Sequence, residues 1–403
     1  MAGTSTVLLL LFTYAEAWSF SPPPPPPLPP PSLFDDQAVA LLLAALAVLA
    51  TMLGMWFVTA PQPVAAGKIS RIIIYPLKSA RGVSVESAAL DSRGLVFDRL
   101  WMVVDENGSF MSQRRAPRLA LVEAALPTSH DEPLRLAAKG AKPISVPVVR
   151  EGASSRVRCW DDNMDAVDQG EEAAAWLAAV LGVEGVRLVR MAESTRRACS
   201  RKYAPRGSTT AFSDGFPLLL ANESSLAQLN EKLAARGKLP VPMNRFRPNL
   251  VLDGTGAASP PFAEDGWERI RVHGADAAAA ATGAGGVGFG VVKPCARCKM
   301  PTIDQDTGVP DQRASAAATS GADDDDEGGG PAAQAEPTAT LRTFRTGAGL
   351  GYKKRAWAKD VFFGQNLVLH ARAGAVVSVG DAVVATPRRK PGWLARGVPG
   401  VDF

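Results

Sequence analysis

Residues 38–60, AVALLLAALAVLATMLGMWFVTA, run for 23 positions without a charged side chain. At about 1.5 Å of rise per residue this run would span roughly 35 Å as a helix, enough for a hydrocarbon core of about 30 Å. Core helices rarely reach this length without a polar residue on one face, so the run predicts one N-terminal transmembrane helix. Residues 1–37 then form a leader. Nine prolines fall between Pro22 and Pro31, a stretch held extended as polyproline II and expected to be disordered. A short apolar run, Val7 to Phe12, followed by Ala15-Glu16-Ala17 also admits a cleaved signal peptide, although no basic segment precedes it. Asp35 and Asp36 lie before the apolar run, and Lys68 and Arg71 lie after it. Positive charge on the C-terminal side puts the rest of the chain in the cytosol.

The remainder has the composition of a globular protein, with 46% hydrophobic and 21% charged residues overall. Lys plus Arg total 44 against 40 Asp plus Glu, a net charge of +4 that does not point to nucleic acid. Four cysteines, Cys159, Cys199, Cys295 and Cys298, are too few for a disulfide scaffold. His130, His273 and His370 are isolated in sequence, which argues against a multi-histidine metal site.

The pattern is mainly β. Lys68–Tyr75 (KISRIIIY) reads as a strand stopped by Pro76, and Leu95–Asp105 as a second strand. Asn107-Gly108 turns the chain cheaply at positive φ, so Ser109–Gln113 returns as a hairpin. Glu171–Leu181 reads as a helix with Trp176, Leu177, Val180 and Leu181 on one face. A second block starts near Val186. Ser225 and Gln228 resemble a capping box opening a helix through Ala235. Leu250–Leu252 is a buried strand, and Trp267–Val272 reads as a strand at a sheet edge. Gly283 to Gly288 satisfies GxGxxG, but Phe289–Pro294 after it read as strand rather than helix, so it is a glycine-rich loop and not a dinucleotide site. Ala314–Thr338, with five acids from Asp323 to Glu327, is expected to be a disordered insertion. Ordered chain resumes at Leu341 and ends near Ala385, before a basic tail over residues 386–403.

Cys295-Ala296-Arg297-Cys298 is the most informative tetrapeptide. A structural zinc site needs four ligands and this motif supplies two. A redox dithiol usually opens a helix, which Pro294 and Pro301 disfavour. Two ordinary buried thiols remain an open reading. So does a single thiolate ligating a soft, redox-active metal whose other ligands come from an organic chelate. Arg297 is placed to lower the thiol pKa. Groups that would anchor an anionic chelate are dispersed along the chain. They are Lys78-Ser79 at a strand end, Arg99 amid apolar neighbours, and Arg247 and Asn249 before a buried strand. Cations in such settings need an anionic partner. Asp98 is a ready partner for Arg99.

At these residues the chain resembles the MOSC family. The matching stretches are Ile74-Tyr75-Pro76-Leu77-Lys78-Ser79, Phe97-Asp98-Arg99-Leu100-Trp101, and Ser112-Gln113-Arg114 through Pro117-Arg118-Leu119. Phe212-Ser213-Asp214-Gly215-Phe216-Pro217, Arg245-Phe246-Arg247-Pro248-Asn249, Cys295-Ala296-Arg297-Cys298 with Asp304-Gln305-Asp306-Thr307-Gly308, and Phe363-Gly364-Gln365-Asn366 come after them in family order. The resemblance implies an α+β, mainly β chain: a MOSC-type N-terminal β-barrel domain over 68–185, then a MOSC β-barrel domain with peripheral helices over 186–385. It implies the molybdenum cofactor (Mo-molybdopterin), with Cys298 as metal ligand and catalytic residue. Lys78, Ser79, Arg99, Asp214, Arg247, Asn249 and Asn366 would bind the cofactor.

Within the family, the branch it is most similar to reduces N-hydroxylated compounds such as amidoximes and, in some members, nitrite to nitric oxide. The implied electron donors are NADH, cytochrome b5 reductase and cytochrome b5. The implied location is the mitochondrial outer membrane, with the endoplasmic reticulum as the alternative. A non-enzymatic carrier of cofactor or sulfur is the competing reading, since MOSC domains also end the cofactor sulfurases.

Overall fold

The computed structural model describes residues 36–59, 61–152, 154–255, 259–274, 285–310, 335–352, 354–370 and 374–388. Residues 1–35 of the expected leader, the acidic run Asp323–Glu327 and the tail beyond Arg388 lie outside these residues. The chain divides into two units, 1–60 and 61–403.

The first unit contains α1, Asp36–Thr59. Side chains are described for Gln37 and for 39–52, and Leu41, Leu42, Leu43, Leu46 and Leu49 are all exposed. Among the described residues no helix is long and apolar enough to cross a membrane. The transmembrane helix expected over 38–60 is therefore not supported by the described residues.

The second unit is mainly β. Its principal strands are β1 (Val64–Ile74), β2 (Trp101–Val104), β3 (Ser154–Cys159), β4 (Asp162–Asp168), β5 (Arg187–Met191), β6 (Leu218–Asn222), β7 (Leu250–Leu252), β8 (Trp267–His273), β9 (Val287–Ala296), β10 (Phe362–Leu369) and β11 (Ala382–Pro387). The larger sheet runs β7-β6-β10-β9-β8-β11-β1, and β1 pairs back onto β7, closing a barrel. Alternation at period two explains its core. Leu218 and Leu220, Leu250 and Leu252, Ile270 and Val272, Phe289 and Val291, and Val383 and Ala385 share one apolar cluster with Ile72 and Ile74. Ile73, between them, faces the other way, into a cluster with Leu226, Leu229 and Leu233 of α3 (Glu223–Ala235). β1 is therefore apolar on consecutive positions because both its faces are covered.

The smaller sheet runs β2-β5-β4-β3. It shares a core with α2 (Glu171–Leu181), which buries Leu177, Val180 and Leu181 and ends at Gly182 in the left-handed conformation. Trp176 on the same helix stays partly buried and donates Nε1–H to the Lys142 carbonyl at 2.7 Å.

Several local expectations change. Leu95–Asp105 is not one strand. Phe97 and Arg99 take φ of 69° and 49°, and the turn is held by Arg99 N–H donating to the Tyr75 carbonyl at 2.6 Å. β8 is not an edge strand, since it lies between β9 and β11. The N-cap of α3 is Asn222, whose side chain accepts from Ser224 N–H, whereas Ser225 is buried and donates to Glu264 at 2.8 Å. The folded body includes residues before Leu341, since Ala335 and Thr338 are buried and Thr338–Arg342 is a short helix, α4. Arg388 belongs to the body rather than a tail, donating to the carbonyls of Trp267 and Val291.

Candidate functional site

The site is built where β1 ends. Lys78 follows β1 through Tyr75-Pro76-Leu77 and is tied down by its N–H donating to the Trp101 carbonyl at 2.8 Å. Its ammonium is buried and donates to the Phe212 carbonyl at 2.8 Å and to Asp214 Oδ1 at 2.7 Å. Trp160, at a tight turn between β3 and β4, donates Nε1–H to the same Asp214 oxygen at 3.1 Å. Burial pushes the Asp214 carboxyl up, but the Lys78 charge and these two hydrogen bonds outweigh it and hold the group well below the usual carboxylate range. The Asp214 side chain nonetheless remains 70% exposed. It thus presents fixed negative charge to an open face.

Arg99 and Arg247 both lie against Tyr75, with their guanidinium carbons 4.2 and 4.3 Å from the ring centroid. Arg99 pairs with Asp98 at 2.5 Å and donates to Asn249 Oδ1 at 2.9 Å. Asn249 has no amide atom to spare. Its Nδ2 donates to the Ile73 carbonyl and to Asp98, and its Oδ1 also accepts from Leu219 N–H. Burial pushes the Asp98 carboxyl upward, against the Arg99 charge and the hydrogen bonds from Tyr75 N–H and Asn249.

Arg247 is different. It is buried, forms no ion pair with a carboxylate among the described residues, and its Nη2 is buried without a hydrogen-bond partner. Its Nη1 makes a long contact, 3.4 Å, to Gln305 Oε1. Burial pushes the guanidinium down to about 10, and the neighbouring Arg99 charge adds to this. Such a group lacks an anion.

Backbone strain gathers at the same place. Six non-glycine residues among those described have positive φ, and five of them are Ser79, Phe97, Arg99, Trp160 and Arg247. Each costs on the order of 1 kcal/mol or more and persists only where surroundings over-determine it, a pattern typical of ligand clamps.

The cysteine motif leaves the end of β9 in extended conformation, as the flanking prolines implied. Arg297 ties it to the rest of the site, donating to the carbonyls of Phe363 and of Phe246, the residue before Arg247. Cys298 is exposed and Cys295 half-buried. Arg297 does act to lower the Cys295 thiol, as expected, but its effect is outweighed. Burial raises that thiol overall, and the Arg297 and Lys293 charges only partly offset it. Asp214 and Cys298 also act on Cys295, so the motif and the Lys78–Asp214 pair lie within electrostatic reach.

Lys78, Asp214, Arg99, Arg247 and Asn249 are thus brought together, with Ser79 beside them. Asn366 is not in this hydrogen-bond network. It lies on β10 and donates to the Lys293 carbonyl at 3.1 Å, two residues before Cys295. Gln113 and Gln305 went unrecognised as site residues. They pair amide to amide at 2.9 Å and link the Ser79 carbonyl to Arg247. Both fall inside sequence stretches that match the family, which was the available signal. Trp160 had none. Among the described residues no group of three His, Cys, Asp or Glu side chains is poised to hold a metal ion. What the arrangement offers is one exposed thiol on a loop that Arg297 ties to the residue before a buried, under-neutralised cation, a donor set suited to an anionic chelate that brings its own metal ligands.

Residues 66–184 match the MOSC N-terminal beta barrel domain and residues 207–384 match the MOSC domain. The chain belongs to the family of MOSC proteins that join these two domains. Its similarity runs to particular members. Mitochondrial amidoxime-reducing component 1 of Mus musculus is 32% identical over 256 residues, covering 61% of this chain and 68% of that protein. Mitochondrial amidoxime reducing component 2 of Rattus norvegicus is 33% identical, covering 61% of this chain and 70% of that protein. The molybdenum cofactor sulfurase of Bos taurus is 30% identical over 60% of this chain, but only 27% of the sulfurase is covered.

Proposed function

We propose that the chain is a molybdenum-cofactor oxidoreductase that reduces N-hydroxylated compounds such as amidoximes. The observation that carries this is Arg247, a buried guanidinium with an unpartnered Nη2 and a depressed pKa, joined through Phe246 and Arg297 to the loop bearing an exposed thiol. Lys78, Ser79, Arg99 and Arg247 would hold the anionic end of the cofactor, and Cys298 would be the protein ligand of the metal. Asp214 fixes Lys78 by ion pairing. Asn249 acts on Arg99, and Asn366 on the strand that leads into Cys295. Bound there, the cofactor would supply the two-electron chemistry by which an N–O bond is reduced with two protons and water is released.

The amidoxime-reducing relatives support this substrate class. We extend from it the cytochrome b5 and cytochrome b5 reductase electron supply, with nitrite as a second substrate. We also extend the mitochondrial location in those relatives' names to this chain and propose its outer membrane as the site; cell fractionation tests it. The deciding experiment has two readouts. Purified protein should contain molybdenum and pterin in near-equal amounts, and should reduce benzamidoxime with NADH, cytochrome b5 and its reductase. Protein that purifies without either from a cofactor-replete host would overturn the reading. A second reading, a non-enzymatic carrier of cofactor or sulfur, is favoured by the similarity to the cofactor sulfurase. It expects molybdenum and pterin without turnover.

A further inference from the structure

The ammonium groups of Lys293 and Lys354 meet at one aromatic pair. Lys293 lies on β9, two residues before Cys295, and its charge acts on that thiol. Its ammonium is 5.1 Å from the Tyr203 ring centroid and 5.3 Å from that of Trp357. Lys354 comes from a different part of the chain. Its ammonium is 5.0 Å from the Trp357 centroid and donates to the Tyr203 hydroxyl at 3.3 Å. The two rings stack, with centroids 5.9 Å apart and planes 19° from parallel. Both lysines are half-buried, and among the described residues neither forms an ion pair with a carboxylate.

This arrangement is not needed for packing. Trp357 already has apolar neighbours in Phe362 and Tyr352. Drawing two like charges to one aromatic pair is unfavourable unless an anion comes between them or beside them. Aromatic faces attract each cation but do not cancel the repulsion between the two. The backbone reinforces the placement, since Asn366 Nδ2–H holds the Lys293 carbonyl at 3.1 Å.

We propose that Lys293 and Lys354, over the Tyr203–Trp357 stack, form a substrate subsite that accepts the carboxylate of a planar N-hydroxylated compound, with the N-hydroxyl end directed toward Cys298. The inference rests on the reading of Cys298 as the reaction centre and narrows its substrate class to anionic, flat molecules. An ammonium contributes as a compact point charge, so two of them discriminate by charge rather than by fork geometry.

The test compares benzamidoxime with 4-carboxybenzamidoxime in the full chain, using the wild type, Lys293→Met and Lys354→Met. Methionine keeps the length and the contact with the rings while removing the charge. The expected result is a KM for the carboxylated substrate raised tenfold or more in each variant, with kcat little changed and the KM for benzamidoxime within twofold of wild type. Raising the salt concentration should erode the wild-type preference in the same direction. A uniform change for both substrates, or no change for either, overturns the subsite. Calorimetric titration of 4-carboxybenzamide, which cannot be reduced, reads binding without turnover. Binding that is lost in both variants supports the subsite even if neither amidoxime is reduced, in which case the proposed activity falls and the subsite stands. Reduction of both amidoximes with equal KM values in all three proteins leaves the activity standing and removes the subsite.

Discussion

Replacing Arg247 with methionine should stabilise the protein when the cofactor is absent and destabilise it when the cofactor is bound. Burial pushes the guanidinium down to about 10, against an ordinary value of about 12.5. At roughly 1.4 kcal/mol per pH unit, holding this charge costs about 3 kcal/mol at neutral pH. Because the ordinary value is higher, the full cost applies at any pH below about 10 and is relieved only above it. Methionine removes the charge and retains most of the contact with Tyr75. Gln305 Oε1 still accepts from Gln113 Nε2, so no buried acceptor is orphaned. Losing the cation–π contact and the long bond to Gln305 takes back about 1–2 kcal/mol. The expected net gain for cofactor-free protein is therefore on the order of 1–2 kcal/mol. With cofactor bound, the variant loses a buried charge-assisted contact to an anion, about 3–5 kcal/mol. Urea unfolding of wild type and Arg247→Met, each produced in cofactor-replete and cofactor-deficient hosts, measures all four values. Equal destabilisation with and without cofactor would show that Arg247 serves the fold alone, and the anion site would lose its main support.

The same geometry sets other outcomes. Cys298→Ser should purify without molybdenum and without activity, whereas Cys295→Ser should retain part of both; equal loss of activity with metal retained in both variants would refute single-thiolate ligation. Glu264, fully buried and donated to by Ser225, is pushed up to about 7 by burial and by Asp265. The folded chain then keeps a proton that the unfolded chain has lost, so stability should fall as pH rises above about 4.5 and level off once the folded chain has lost it too. Glu264→Gln should abolish that dependence in chemical unfolding across this range. Deleting residues 311–334, which spares the buried Ala335 and Thr338, should leave the melting temperature nearly unchanged, since closing a long loop costs little more than closing a short one. The same deletion should raise the rate of reduction by cytochrome b5 at low salt and not at high salt, by removing the repulsion of Asp323–Glu327 for an acidic donor.

What could be read from the sequence was what local chemistry decides. β1 stops near Pro76, Asn107-Gly108 turns at a positive φ of 72° on Gly108, and α2 spans Glu171–Leu181 with its apolar stripe inward. The residues expected to anchor a cofactor sit in motifs, and the structure brings most of them to the end of β1. The misreadings arose where distant partners override local preference. Leu95–Asp105 is strand-like residue by residue, yet Tyr75 and Phe212 bond the backbone of Arg99 from both sides and force a turn. Ser225 has the right spacing for a cap, but Glu264 draws its hydroxyl inward. Arg297 precedes Cys298 directly and is two residues from Cys295, while its guanidinium is occupied by the carbonyls of Phe246 and Phe363. None of these contacts is visible in a window of neighbouring residues.

The closure of the barrel through β1 has a consequence for how the chain matures. Ile69–Ile72 pair with residues of β7, and Val64–Lys68 pair with residues of β11, more than 300 positions later in the chain. The earlier strand must wait for a partner made more than 300 positions after it. Long-range pairings of this kind fold slowly and leave edges unpaired in the interim. Because Lys78 and Ser79 hang from the end of β1 and Cys298 from the end of β9, the two halves of the proposed site come together only once the barrel has closed. A ligand that needs both would then bind only after β11 has paired with β1, and any truncation that removes β11 should leave an insoluble product rather than a smaller working one.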